Sequence, residues 1–201
     1  MNRILVWDWP VRIGHWLLVG AFTLAWLTGD SETWRLVHVW AGGTVVGVVL
    51  FRLLWGVVGT RYARFASFMR GPGAVRAYLL GLLSHPRTAQ PGHNPAGGWA
   101  IAALLSLALL TGFSGWLTYQ EIGGDWLAEL HEALASTMLA VVFVHVLGVL
   151  TGSLAHRENL VRAMFTGLKR GEADAAIASA RPLAVPLLLA CAAICAWWLS
   201  R

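Results

Sequence analysis

Residues 126–154 read WLAELHEALASTMLAVVFVHVLGVLTGSL, and this stretch decides how the chain folds. From Ala133 to Leu154 it holds no Asp, Glu, Lys or Arg. That is long enough to cross the roughly 30 Å hydrocarbon core of a bilayer as one helix. Two histidines, His131 and His145, stand in it 14 residues apart. At about 100° per residue this is close to four whole turns, so both share one helical face, roughly 21 Å apart along the axis. Ligands of a binuclear centre would have to meet metals about 4 Å apart. The spacing instead suits two separate sites, one toward each membrane face.

Four further apolar runs accompany it, at 11–29, 34–58, 97–119 and 183–200. Hydrophobic residues make up 57% of the 201 and charged ones only 12%. A water-soluble domain is nearer a quarter charged, so lipid is the expected solvent. The first run contains His15 and two tryptophans and lacks a small-residue cleavage site, unlike a cleaved leader. The expected fold is an all-α integral membrane protein, a four-helix transmembrane bundle with a fifth C-terminal helix.

The positive residues orient the spans. Arg3, Arg12, Arg61, Arg64, Arg70, Arg76, Arg87, Arg157, Arg162, Lys169, Arg170 and Arg181 fall on one side of a five-span chain. The other side has Arg35 and Arg201 and is acidic, with Asp30, Glu32, Glu121, Asp125, Glu129 and Glu132. The expectation is a multi-pass chain with a cytoplasmic N-terminus. The net charge of +5 then reports topology; nucleic-acid binding is excluded because its motifs are missing.

Four of the seven histidines lie in or at the ends of spans: His15, His38, His131 and His145. An ionisable side chain there is costly and marks function by default. Singly, each is also explained by a hydrogen bond to a neighbouring helix. As a set they pair by depth. His15 sits about 6 Å inside the inner end of the first span and His38 about 6 Å inside the outer end of the second. His145 matches the first depth and His131 the second. Two imidazoles from facing helices are what a six-coordinate haem iron takes, and bundle cores bring such ligands together. Two non-covalent haems b, held by His38/His131 and His15/His145, follow as the expectation. Zinc fits less well, because two ligands fall short of its usual four and no intramembrane acid or thiol completes them.

Arg52 lies 14 residues after His38, on the same face and near the inner level. It would pair with a haem propionate or snorkel to the surface; Arg12 and Arg35 are interfacial and serve equally. Gly42, Gly43, Gly47, Gly112, Gly115 and Gly148 leave room either for a macrocycle or for helix contact. The twelve tryptophans crowd near span ends as an interfacial belt. Cys191 and Cys195, one turn apart, read as small packing residues. No C-x-x-C-H occurs, so covalent haem is not signalled. Between spans, Ala74–Leu83 is expected as a helix on the inner surface, and 157–168, with Leu160, Val161, Met164, Phe165 and Leu168 at helical spacing, as a second. Residues 1–170 form the core unit, 171–182 a linker within a flexible 169–182 stretch, and 183–201 the extra helix.

The stretches VWDWPVRIGHW (6–16), LFRLLWGVVGTRYARF (50–65), GHNPAGG (92–98), LHEALA (130–135) and HRENLVRAMFTGLKR (156–170) together resemble the bacterial cytochrome b561 family, which includes the b-type cytochrome subunits of nickel–iron hydrogenases. The resemblance covers about residues 3–170. It implies a four-helix bundle in a bacterial inner membrane with two haems b, ligand histidines at His15, His38, His131 and His145, and electron exchange between a redox partner and the quinone pool. A quinone head group near His93, Asn94 or Arg61 is one implication; structural capping of the loop ends explains the same residues. The fifth helix departs from the minimal pattern and serves either to dock a partner or to anchor the tail.

The leading expectation is therefore a di-haem cytochrome in membrane lipid, linked to quinone, with a redox partner protein or catalytic subunit on the acidic outer side. The sequence leaves the oligomeric state open, a homodimer included. One alternative is a stand-alone oxidoreductase reacting with a small redox molecule at the outer haem. The other is a haem-free metal or proton transporter with a histidine relay, against which the lack of acids inside the spans counts.

Overall fold

A computed structural model describes residues 2–84 and 91–201; His85, Pro86 and Arg87 lie outside the described residues. The chain runs β1 (Asn2–Leu5), α1 (Trp9–Thr28), a 3-10 turn (Glu32–Trp34), α2 (Arg35–Val58), α3 (Phe65–Phe68), α4 (Pro72–Ser84), α5 (Pro95–Tyr119), α6 (Asp125–Ala155), α7 (Leu160–Thr166), β2 (Leu168–Gly171) and α8 (Val185–Leu199). Five helical stretches are long and apolar enough to span a membrane: Trp9–Thr28, Glu32–Val58, Pro95–Tyr119, Asp125–Ala155 and Pro182–Leu199. Each matches an expected run within a few residues. The chain is a multi-pass, all-α membrane protein, with one short β ribbon added.

Local chemistry sets the helix starts. Asp8 caps α1 by accepting from Val11 N–H (2.9 Å), and Pro10 supplies a first-turn residue that has no N–H to satisfy. Asn94 and Pro95 do the same for α5, and Asn159 for α7. Residues Gly123 and Gly124, at φ +92 and +84, turn the chain into α6. The expected surface helices are α4 and the seven-residue α7, the latter shorter than 157–168 because Asn159 caps its start and left-handed Gly167 ends it.

Packing is strongest along two hairpins, α1–α2 and α5–α6, and along α2–α8. The α2–α8 seam is built of small residues. A Cβ on Gly43 would lie 2.7 Å from Ala196 Cα, and one on Gly47 2.4 Å from the Cys191 carbonyl oxygen. Backbones can approach this closely only without side chains between them. Two of the glycines expected to admit either a macrocycle or a helix thus admit a helix, and the fifth span is docked on the second.

The basic ends of the helices meet in a small cap. β1 pairs antiparallel with β2, Asn2 opposite Gly171 and Leu5 opposite Leu168. Beneath the ribbon Ile4, Val6, Trp7, Tyr62, Ala163 and Ile177 form a buried cluster. Residues 169–182, expected as a flexible stretch, contribute to this cap. Lys169 pairs in the ribbon, Ile177 N–H donates to Leu5 O (2.9 Å), and Tyr62 OH donates to Ala175 O (2.7 Å). The physical reason is Ile177, a single apolar side chain in a small and polar stretch, which gains by leaving water.

Candidate functional site

The side of α6 that faces α1 and α2 is only loosely covered by helix packing. α6 packs on α5 and α7 but forms no comparable face with α1 or α2. Of its most apolar stretch only 6% is buried in protein. Across this seam the histidines come together in pairs. His15 of α1 faces His145 of α6 with ring centroids 6.5 Å apart. His38 of α2 faces His131 of α6 at 6.0 Å. These are the partners that the depth argument joined, and α6 carries one member of each pair.

The His38–His131 pair is held from behind. His38 Nδ1 is 2.8 Å from the Ala25 carbonyl, and His131 Nδ1 is 2.9 Å from the Thr111 carbonyl. A carbonyl can only accept, so Nδ1 carries the proton in both rings and Nε2 keeps its lone pair free. Ser114 Oγ lies 3.3 Å from His131 Nδ1. Gly115 makes the space: a Cβ there would stand 2.7 Å from His131 Cε1. In the His15–His145 pair, His15 stands edge-on against Trp16 at 5.2 Å. Ala25 and Thr111 carry no sequence signal, since every residue offers a carbonyl.

The remaining glycines divide. Gly112 admits Val46 and is helix packing. Gly42 and Gly148 have nothing within 4 Å of a built Cβ. Gly42 stands one turn from His38 and Gly148 three residues from His145, so open space adjoins both pairs.

Arg52 stands over the Phe65 ring at 5.0 Å. Its Nη1 is buried without a hydrogen-bond partner, a costly state for a guanidinium N–H. His93 lies between Trp7 (4.5 Å) and Phe68 (4.6 Å), and its buried Nδ1 is likewise unpartnered. Burial, then the charges of Arg52, Lys169, His145 and His15, lower its pKa to about 3. Asn94 is committed to capping α5, and Arg61 lies over Tyr62. Beside the His15–His145 pair, α1 and α7 border an open groove of about 440 Å³ lined by Trp9, Arg12, Trp16, Leu17, Met164 and Phe165. Arg12 Nε and Trp16 Nε1 are buried donors without partners there. Sequence reading missed this groove, because it arises only when α7 folds against α1.

The chain matches the family model of prokaryotic cytochrome b561 over residues 6–167. It is 28% identical over 142 residues to the "Probable Ni/Fe-hydrogenase 1 B-type cytochrome subunit" of Escherichia coli K12, covering 58% of this chain and 60% of that protein. The same figures hold for the counterpart in Escherichia coli O157:H7. The chain thus spans about 60% of the length of the curated relatives it matches. No solved structure gives a significant match. With the family model matching well over half of its length, the chain belongs to the prokaryotic cytochrome b561 family.

Proposed function

We propose that this member of a haem b electron-transfer family holds two haems b, by His15 with His145 and by His38 with His131, and passes electrons across the membrane between a redox partner and quinone. The observation that carries the reading is the pair of ring separations. An imidazole nitrogen binds a first-row metal at about 2 Å, with the ring centre about 1 Å behind it, so two imidazoles on one iron stand with centroids roughly 6 Å apart. The observed 6.5 and 6.0 Å fit that requirement at both levels. Haem iron supplies a one-electron ferric–ferrous couple when bound. The chain's residues bind and orient. Ala25 and Thr111 carbonyls fix the tautomer of the outer histidines, the open faces of Gly42 and Gly148 leave room for a flat ring, and the unpartnered Arg52 Nη1 suits a propionate.

For quinone, the α1–α7 groove is the favoured place. It is apolar and offers two unpartnered buried N–H groups, which match the two carbonyl acceptors of a quinone ring. It adjoins His15 through Trp16. The partner expected on the acidic end, near Asp30, Glu32, Glu121 and Asp125, is a catalytic subunit, since the relatives are named as cytochrome subunits of a hydrogenase.

Oxidised and dithionite-reduced spectra, with a pyridine haemochrome assay, test the reading. Two haems b per chain are expected. His38→Ala or His131→Ala should each remove one, and His15→Ala or His145→Ala the other. Folded protein with no haem overturns the proposal, and one haem per chain overturns its two-site form. Trp16→Phe should slow reduction by a quinol several-fold while leaving the spectrum unchanged; an unaltered rate would move the quinone elsewhere.

A further inference from the structure

A second pocket lies apart from the histidines, where the end of α6, α7 and the β ribbon meet on the basic end. Its volume is about 250 Å³, and its lining includes Arg3, Arg157, Arg162, Lys169 and Arg170 with one acid, Glu158. That acid is already engaged. Arg170 N–H donates to Glu158 Oε1 at 2.6 Å, and Lys169 Nζ lies 3.8 Å from Oε2, both side chains being buried. The pair forms a floor, and the four arginines, all exposed, stand around it. Four guanidinium groups around one concavity give it a positive potential that favours an anion among them. Arg157, at φ +49, is the left-handed residue that ends α6, with Glu158 N–H donating to Ser153 O at 3.1 Å across the helix terminus, and this sharp turn brings its side chain to the pocket lining.

What flanks the pocket names the anion. Leu154, Val161 and Phe165, 80%, 42% and 57% exposed, present apolar surface at the end of the α6 span and along α7. A ligand with both phosphate and acyl chains satisfies the two surfaces together. We propose that this pocket binds the phosphate of an anionic phospholipid headgroup, with the acyl chains lying along α7 and the end of α6. Guanidinium forks match phosphate oxygens in bidentate geometry, and basic pockets at the membrane surface hold such headgroups.

The test uses the full-length protein in phosphatidylcholine nanodiscs with increasing phosphatidylglycerol, and native mass spectrometry of the lipid retained on release. Phosphatidylglycerol should be retained over phosphatidylcholine. Arg157→Gln with Arg162→Gln should weaken that retention roughly tenfold, with elution volume and melting temperature unchanged. Arg61→Gln with Arg76→Gln, which removes the same charge from the same end outside the pocket, should leave retention intact. Should the first double variant misfold, Arg3→Gln alone is expected to cost several-fold, and R3Q retention equal to that of the unaltered chain would sink the proposal. So would equal losses in the two double variants, which would mean diffuse surface charge, or no preference for phosphatidylglycerol. Displacement of the lipid by inorganic phosphate at matching concentration would identify free phosphate as the ligand and overturn the lipid assignment.

Discussion

Asp8 shows how much one side chain can fasten. It is fully buried, and besides capping α1 it accepts from Trp55 Nε1 at 2.9 Å and Thr60 Oγ1 at 2.6 Å. The start of α1 is thereby tied to the end of α2. Asp8→Ala removes a cap and strands two donors, a loss of about 2–4 kcal/mol, to be read as a lower melting temperature in detergent. His93 gives a pH prediction. Its pKa is about 3 in the folded chain against 6.5 ordinarily. The unfolded chain therefore binds the extra proton first, and stability falls as pH drops from about 6.5 toward 3. His93→Phe keeps an aromatic ring between Trp7 and Phe68 and should flatten that decline, seen as a smaller difference in melting temperature between pH 7 and pH 5. At this scale the four span histidines were legible because ionisable groups are rare in lipid. Asp8 was not, since one acid at a span end looks the same whether it faces water or a tryptophan.

Among the elements, α8 departs most from a loosely attached tail. Gly47 meets backbone atoms of α8, which cannot swing aside as a side-chain tip can. Gly47→Leu should push the helices apart, costing at least the 1–3 kcal/mol typical of overpacking, or roughly that. The readout is faster maleimide labelling of Cys191 and Cys195, both free thiols; unchanged labelling would show that the seam is not closed in solution. Span positions were legible because length and apolarity suffice to define them. Which faces pack was not, because glycine serves a helix, a histidine ring or open space equally well. The two four-residue strands were missed because four residues are too short to display an alternating pattern.

For the molecule as a whole, the two ends differ in charge, and this asymmetry predicts the topology. The basic end holds the cap, and at the other end Gln120 Nε2 and Tyr119 OH donate to the carbonyls of Arg201 and Ser200. Alkaline phosphatase fused after Gly123 should be active and a fusion after Gly71 inactive, as the positive-inside rule demands; the reverse pattern would invert the proposed direction across the membrane. Fold class and the pairing of histidines could be read because depth and charge are one-dimensional properties, ordered along the chain. The cap and its two pockets could not, since they join residues far apart in sequence. That separation also sets an order in time. The β ribbon joins Asn2 to Gly171, so the clasp cannot close until the ribosome has made both. Helix α6, which carries one histidine of each pair, is finished at Ala155, shortly before Gly171 is made. Both histidine pairs are thus complete in sequence before the clasp can close, and a chain stopped at Gly167, before β2, could not form that clasp at all.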